Sequence, residues 1–274
     1  LDWNRDMPKP EARAFDEPRF DVGEIAGVVP ADWSTPYDAR ELIARLVDGS
    51  DFDEFKPDFG PATLCIQAQI YGHTVGILAN NGPIDPAGAN KATHFIQACE
   101  QAGTPLVFLN NTTGYMVGTA YEQAGMIKHG SKMIQAVSNA RVPKITLYCG
   151  ASFGAGNYGM CGIAYQPDFL FAWPTSRSGV MGGAQAAKTM SLVARAGAAR
   201  KGVDVDEARM AQQEAAIQGL FDAQSSPFFT SGKVLDHGVI DPRDSRKVIA
   251  FCLATVAEAR RRDLNSNSFG VARM

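Results

Sequence analysis

Apolar residues recur along the chain in short runs separated by polar or glycine-bearing loops. From residue 62 onward, these runs predict five strands, at residues 63–69, 73–80, 105–110, 144–149 and 169–173. Amphipathic spacing predicts helices at residues 90–101 and 127–139. Strand, loop and helix therefore alternate through the middle of the chain, which is typical of an α/β fold with crossover connections. In such folds, sites gather where the strands end.

The two ends of the chain have a different pattern. Residues 1–60 are rich in proline and charge, and they predict an extended lead-in with one short helix at residues 39–48. Beyond residue 186 the pattern is helical, with helices predicted at residues 186–200, 205–218 and 244–262. Because no linker interrupts residues 61–274, we expect them to form one domain.

Composition and charge narrow the class of protein. Hydrophobic residues make up 45% of the 274 residues and charged residues 20%, with a net charge of -3, which is a globular balance. No basic stripe is present, so we expect neither nucleic acid nor an anionic membrane as a partner. No signal peptide and no run of roughly 18 apolar residues is seen, so no membrane span is expected.

The cysteines are five, widely spaced and without a CxxC pair. This pattern predicts neither a zinc site nor a disulfide framework, and it indicates reduced thiols in the core of an intracellular protein. We therefore expect no metal in this chain.

The stretch KITLYCGASFGAGNYGMCG, residues 144–162, holds the strongest candidate chemistry. An apolar strand runs into glycine, alanine and serine, and a helix of small residues is predicted to begin near Asn157. Such a junction leaves backbone N–H groups bare at a helix N-terminus, where they can contact a ligand. Donors placed there suit an oxygen that gains negative charge during a reaction.

Four interpretations of this junction are open. Residues 154–159 read GxGxxG, the dinucleotide fingerprint, but the following strand ends in Trp173 instead of an acidic residue. Residues 150–154 read GxSxG, as in a serine hydrolase whose Ser152 is followed by Asp222 and His237. The glycines can also serve close packing alone, in a non-catalytic assembly domain, or the backbone near residues 155–156 can form an oxyanion hole without a nucleophile.

Longer stretches resemble one enzyme family. They are GVVPAD (27–32), ARLVDGSDFDEFKPDFG (44–60), GILANNGPIDPAGANKATHF (76–95), NTTGYMVG (111–118), KHGSKMIQAVSNARVPKITL (128–147), FGAGNYGMCG (153–162), VMGGAQAA (180–187), HGVIDPRDSR (237–246) and FGVARM (269–274). The chain resembles the carboxyltransferase (beta) subunit of biotin-dependent acyl-CoA carboxylases, in the methylcrotonyl-CoA and geranyl-CoA branch, and matches its C-terminal domain. The resemblance implies an α/β, crotonase-like (ClpP/crotonase) spiral of repeated ββα units with C-terminal helices.

The resemblance also implies an activity and partners. In that family, biotin on a separate carrier brings a carboxyl group to a coenzyme A ester, here a branched 2-enoyl-CoA, with propionyl-CoA or acetyl-CoA as the alternative. The partners implied are an N-terminal carboxyltransferase half, a biotin carboxylase and carrier subunit, and further copies in a hexamer built from dimers. The location implied is the bacterial cytoplasm or the mitochondrial matrix. Because the chain begins with Leu1, we interpret it as a fragment or processed form.

The family's functional residues transfer to matching positions. The N–H groups of Ala155 and Gly156 correspond to the catalytic oxyanion donors. The biotin-binding residues implied are Thr113, Gly114, Tyr115, Met116, Phe153, Gly154, Gly182 and Gly183.

Other positions depart from the family pattern or have a structural interpretation. Where the family usually has Arg after MCG and Glu after MGG, this chain has Ile163 and Ala184. We interpret His94 and His129 as packing or surface groups. Residues 195–201, which contain three cations, are interpreted as a solvated face.

Overall fold

The computed structural model describes residues 13–262 and shows a mixed α/β fold. Within these residues, seven strands form one sheet: β1 (Phe52–Glu54), β2 (Thr63–Ile70), β3 (His73–Asn80), β4 (Leu106–Thr112), β5 (Lys144–Phe153), β6 (Phe169–Ala172) and β7 (Arg177–Gly179). The first twelve residues and the closing FGVARM motif lie outside the described range.

The strands lie in chain order across the sheet, from β1 to β6. β1, β2 and β3 pair antiparallel, and β3, β4, β5 and β6 pair parallel. β5 pairs with β6 along Ile145–Tyr148 and then with β7 along Ala151–Phe153. On this side, β5 therefore exchanges one neighbouring strand for another partway along its length.

Ten α-helices lie in the described range: α1 (Ile25–Val28), α2 (Ala39–Ile43), α3 (Pro86–Ala102), α4 (Thr119–Gln123), α5 (Met126–Asn139), α6 (Gly154–Gly159), α7 (Gly183–Lys201), α8 (Glu207–Gln224), α9 (Pro227–Gly232) and α10 (Ser245–Ala259). Short 3₁₀ helices span Val22–Glu24, Asp48–Ser50, Ile163–Tyr165 and Pro242–Asp244. In the part of the chain that is described, every helix is too short or too polar to cross a bilayer.

Local sequence explains where α3 begins and ends. The Asp85 carboxylate accepts the Gly88 N–H at 2.6 Å, and Pro86 occupies the first turn, where its missing N–H costs nothing. Gly103 ends the helix in the left-handed conformation. The helix therefore begins four residues before its predicted start, at the turn that follows β3.

The sheet is buried on both faces. Leu64 and Ile66 of β2 point into one apolar cluster with residues of α2 and α10, whereas Cys65 points into a second cluster with α3 and α5. The same alternation holds in β4, where Val107 and Phe108 lie on opposite sides. Side chains that alternate across a strand fill both layers, which explains the nearly continuous apolar runs in the sequence.

The predicted strands are confirmed in position, and several boundaries are corrected. β5 continues through Phe153, because Ala151–Phe153 pair with β7 and Ser152 also pairs with β4. The helix predicted at residues 39–48 ends at Ile43 and continues only as turns. β1, β7, α4 and α9 were not predicted, since segments of three to six residues carry little periodic signal.

Candidate functional site

A cavity of about 460 Å³ opens beside the end of β5. Four residues predicted to bind biotin line it together: Thr113, Phe153, Gly182 and Gly183. The lining is completed by Trp33, Arg177, Ala184, Gln185, Gln218 and Asp222. The walls thus combine an aromatic pair with amide, guanidinium and carboxylate groups, a composition typical of a small-molecule site.

The strand-to-helix junction borders this cavity. Phe153 ends β5 and is the N-cap of α6, so the helix begins at Gly154 and not near Asn157 as predicted. No side chain caps this N-terminus. Ala155 and Gly156 therefore lie in the first turn, where helix geometry leaves N–H groups without an intrahelical acceptor. Ala155 is exposed and Gly156 is buried.

Two glycines are required for this turn. Gly154 has φ +53°, and a Cβ on it would lie 3.0 Å from the Val180 carbonyl oxygen. A Cβ on Gly156 would lie 2.7 Å from the Gly114 Cα and 3.2 Å from the Thr112 methyl carbon. The loop that follows β4 therefore packs directly on the first turn of α6, which brings the predicted residues Gly114, Gly154, Ala155 and Gly156 together.

The side chains of Tyr115 and Met116 point away from the cavity and toward the core. They are half-buried against the apolar cluster between the sheet and α5. The Tyr115 hydroxyl lies 3.4 Å from the Gly130 carbonyl oxygen, and burial raises the pKa of this phenol well above its ordinary value. The backbone hydrogen bonds of Ile84 to Gly114 and Met116 hold the loop in place. Neither side chain lines the cavity, and their contact with biotin stays a prediction.

A buried polar network lies beneath α6 and was missed by sequence reasoning. The Ser152 hydroxyl donates to the Asn110 side-chain oxygen at 3.1 Å and accepts from the Asn157 amide nitrogen at 2.8 Å. The same Asn157 nitrogen donates to the Tyr148 hydroxyl at 2.8 Å. Asparagines beside a glycine-rich strand end were the signal that could have found it. The network anchors α6 to β4 and β5.

The serine hydrolase interpretation is wrong. Ser152 is fully buried within β5 and is not on a turn, and its hydroxyl bonds to the two asparagines. The His237 ring nitrogen accepts the Leu170 N–H at 2.9 Å, and its ring packs near Phe169 and Phe171. Asp222 lies against Gly183 instead. These contacts leave no triad, because neither a base nor an acid reaches the serine.

The remaining candidates are placed as follows. Ile163 packs near Tyr148, Leu170 and Ala172, whereas Ala184 is exposed and lines the cavity. His94 is exposed, with a ring nitrogen 3.1 Å from Lys56 Nζ.

The predicted solvated face on α7 is observed at one of its three cations. Arg195 pairs with Glu207 on the exposed side of α7 and α8, as a solvated face requires. Across residues 13–262, no group of three or more histidine, cysteine or acidic side chains is placed to hold a metal ion.

Known proteins are similar to this chain in sequence. The family model for the carboxyl transferase domain matches residues 2–271. A probable biotin-dependent acyl-coenzyme A carboxylase beta2 subunit of Mycobacterium tuberculosis is 52% identical over 100% of this chain and 51% of its own length. The mitochondrial methylcrotonoyl-CoA carboxylase beta chain of Arabidopsis thaliana is 46% identical over 95% of this chain and 44% of its own length.

Solved structures agree. The beta subunit of geranyl-CoA carboxylase from P. aeruginosa superposes with a TM-score of 0.89 at 51% identity, over 100% of this chain and 51% of that one. The transcarboxylase 12S structure has a TM-score of 0.75 at 30% identity, over 95% of this chain and 50% of that one. The chain thus spans about half the length of the relatives that it matches.

Proposed function

The chain belongs to the carboxyl transferase domain family, and on that premise we propose that it carries the biotin side of an acyl-CoA carboxylase active site. The reaction proposed is transfer of a carboxyl group from carboxybiotin to a coenzyme A ester. One observation carries the proposal: Thr113, Phe153, Gly182 and Gly183, four positions that the family resemblance implies for biotin, line a single cavity at the start of α6.

The size and the chemistry of the cavity support biotin as its ligand. Its volume of about 460 Å³ lies within the range of small-molecule sites, roughly 300–1,000 Å³. Trp33 and Phe153 offer apolar surface for the fused ring and its carbon chain. Arg177 and Gln185 offer donors for polar atoms. Carboxybiotin bound there would supply the carboxyl group, and the ring nitrogen freed by its departure would take up the proton that the acyl-CoA gives up.

The residues of this chain then act by position and by charge stabilisation. The N–H groups of Ala155 and Gly156 would donate to the urea oxygen of bound biotin, where negative charge would gather as the carboxyl group leaves. In known oxyanion holes, each such donor lowers the activation free energy by about 3 kcal/mol. Gly114 supports this turn from below through its contact with Gly156. Gly154 supplies the backbone conformation that starts the turn.

The proposed acyl group is a branched 2-enoyl chain, as in geranyl-CoA or 3-methylcrotonyl-CoA. Support comes from identities of 51% to the geranyl-CoA carboxylase beta subunit and 46% to a methylcrotonoyl-CoA carboxylase beta chain. A propionyl-CoA carboxylase beta chain from Roseobacter denitrificans is 31% identical, so propionyl-CoA and acetyl-CoA are the alternatives.

The proposed partners are an N-terminal carboxyltransferase half, a biotin carboxylase and carrier subunit, and further copies in a hexamer built from dimers. Exposed apolar side chains on α7 and α8, namely Met190, Leu192, Val193 and Leu220, support such association. The related transcarboxylase 12S protein assembles as a hexamer. The bacterial cytoplasm or the mitochondrial matrix remains the proposed location.

We propose further that the fold is a crotonase-like spiral of ββα units. The antiparallel pair β2 and β3, followed by α3, has the form of one such unit. The exchange of β6 for β7 beside β5 also supports the spiral, because the chain returns to β5 farther along that strand.

Carboxylation with labelled bicarbonate tests the proposal. The chain is combined with its N-terminal half and a biotinylated carrier and carboxylase subunit, and methylcrotonyl, geranyl, propionyl and acetyl esters of coenzyme A are compared. Label transfer to a branched ester is expected. Transfer to none of the esters, with a folded chain and a carboxylated carrier, would overturn the function, and transfer to propionyl-CoA alone would overturn the substrate class.

A further inference from the structure

Trp33 lines the cavity, although nothing in the sequence around it predicts this position. It follows the GVVPAD stretch and precedes α2, about 120 residues before β5 ends. The Asp32 carboxylate accepts the backbone N–H and the hydroxyl of Ser34, at 2.9 and 2.8 Å, and these bonds lower the pKa of Asp32. The Thr35 N–H donates to the Asp32 carbonyl oxygen. A hydrogen-bonded turn therefore fixes the backbone on both sides of Trp33.

The indole touches both segments that frame the cavity. Its ring centroid lies 5.4 Å from that of Phe153, and the two ring planes meet at 68°. This is the edge-to-face geometry that aromatic pairs favour. A Cβ on Gly182 would lie 3.8 Å from the outer edge of the indole. Trp33 thus stands between the N-terminus of α6 and the N-terminus of α7.

The side chain is nevertheless only half-buried, and it lines the cavity. Trp173, by contrast, buries its rings in one of the apolar clusters. Trp33 instead leaves aromatic surface facing an open space whose other walls are largely glycine and polar groups. Such a wall suits a flat ligand with an apolar body and a polar edge.

We propose that Trp33 is the positioning residue for biotin in this cavity, an inference that rests on the proposed function. The indole packs against the apolar fused ring and the first carbons of its chain. Phe153 braces the indole from the α6 side. This packing holds the polar edge of the urea toward the first turn of α6, where Ala155 and Gly156 lie. Trp33 therefore acts on binding and orientation, and it takes no part in proton transfer.

Kinetics of the assembled carboxylase test this role. The variants are Trp33→Ala, Trp33→Phe and the control Phe251→Ala, which removes a 72% exposed aromatic from α10, outside the cavity lining. In the reverse direction, with the carboxylated acyl-CoA as the carboxyl donor and free biotin as the acceptor, Trp33→Ala is expected to raise KM for biotin about tenfold, equal to about 1.4 kcal/mol. Its kcat is expected to stay within about threefold, and Trp33→Phe is expected to restore KM. The kinetic constants of the control variant are expected to equal those of the wild type, and KM for the carboxylated acyl-CoA is expected to stay unchanged in every variant.

A binding measurement adds a readout that needs no turnover. The chain has three tryptophans, and Trp173 is buried with its N–H bonded to Ser245. Titrating the assembled protein with free biotin is expected to change tryptophan fluorescence saturably, and Trp33→Phe is expected to remove most of that change. If Trp33→Ala is unstable in a thermal melt, the Trp33→Phe titration decides.

The outcomes separate the two proposals. An unchanged KM for biotin in Trp33→Ala, or a raised KM for the acyl-CoA alone, overturns the positioning role while transfer by the wild type stands. A biotin-dependent fluorescence change at Trp33 without transfer to any ester upholds the binding role and overturns the proposed function. Neither transfer nor a fluorescence change overturns both.

Discussion

The Cα of Gly114 lies so near Gly156 that a Cβ on Gly156 would stand 2.7 Å from it. Gly114 belongs to the loop after β4, and Gly156 lies in the first turn of α6, which follows β5. The contact therefore ties two neighbouring strand ends together at the point where the proposed oxyanion donors lie. Because both partners are backbone atoms, neither can rotate away from an added side chain.

Gly156→Ala is expected to lower carboxyl transfer at least about 100-fold, because the added methyl group pushes the loop or the donors out of place by several tenths of an ångström. Labelled bicarbonate transfer measures this loss. The control is Gly197→Ala in α7, where a Cβ meets nothing within 4 Å. That control is expected to keep full activity and to gain up to about 1 kcal/mol of stability, since alanine favours a helix. Full activity in Gly156→Ala would refute the donor assignment.

Ser152→Ala is expected to cost about 1–3 kcal/mol in the free energy of unfolding, because the Asn110 oxygen loses its buried donor. Urea denaturation measures the change, and Ser138→Ala on the exposed side of α5 is the control. A fluorophosphonate probe should label neither the wild type nor the variant. Stoichiometric labelling of Ser152 would revive the hydrolase interpretation.

Arg246→Ala is expected to destabilise the fold by about 3–5 kcal/mol, because it leaves the buried Asp48 carboxylate without its cation. The two groups lie 2.8 Å apart, and Asp48 also accepts the N–H groups of Tyr71 and Gly72. The exposed pair of Arg243 and Asp241 provides the control, and Arg243→Ala should unfold at the same urea concentration as the wild type. Equal midpoints for both variants would contradict the buried-pair assignment.

The burial of the cysteines leads to two predictions, one about the reactivity of the thiols and one about the stability of the fold at alkaline pH. Burial raises the pKa of Cys65 and of Cys161 from 9.0 to about 12. The unfolded chain therefore releases these protons first. Their contribution to the free energy of unfolding is constant below pH 9 and is lost as pH rises toward 12.

Urea midpoints measured from pH 8 to pH 11 should accordingly fall above pH 9. At pH 8, a thiol reagent should modify none of the five buried cysteines in the native chain and all five in guanidinium. Rapid modification of Cys65 or Cys161 in the native chain would contradict this burial.

Part of the site was predictable from sequence, because its glycine-rich segments can be recognised from the local sequence alone. The glycine-rich end of β5 and the loop after β4 were identified because glycine there has a recognisable backbone purpose. The boundaries were less predictable. Residues 150–152 form strand despite their weak strand preference, since pairing with β4 and β7 overrides propensity. The Asn157 start of α6 was wrong for the same reason, because the end of a strand depends on its partners.

The sequence alone determined where the five central strands lie along the chain, because runs of apolar residues indicate burial on both faces of a sheet. It also determined the family resemblance, which rests on its motifs. The tertiary structure alone decided which side chains share the cavity. Trp33 meets Phe153 there, Tyr115 turns into the core, and Ser152 bonds two asparagines. Each of these contacts joins or depends on segments far apart in the chain. The orientation of these side chains is therefore set by packing between elements, which no local pattern of residues encodes.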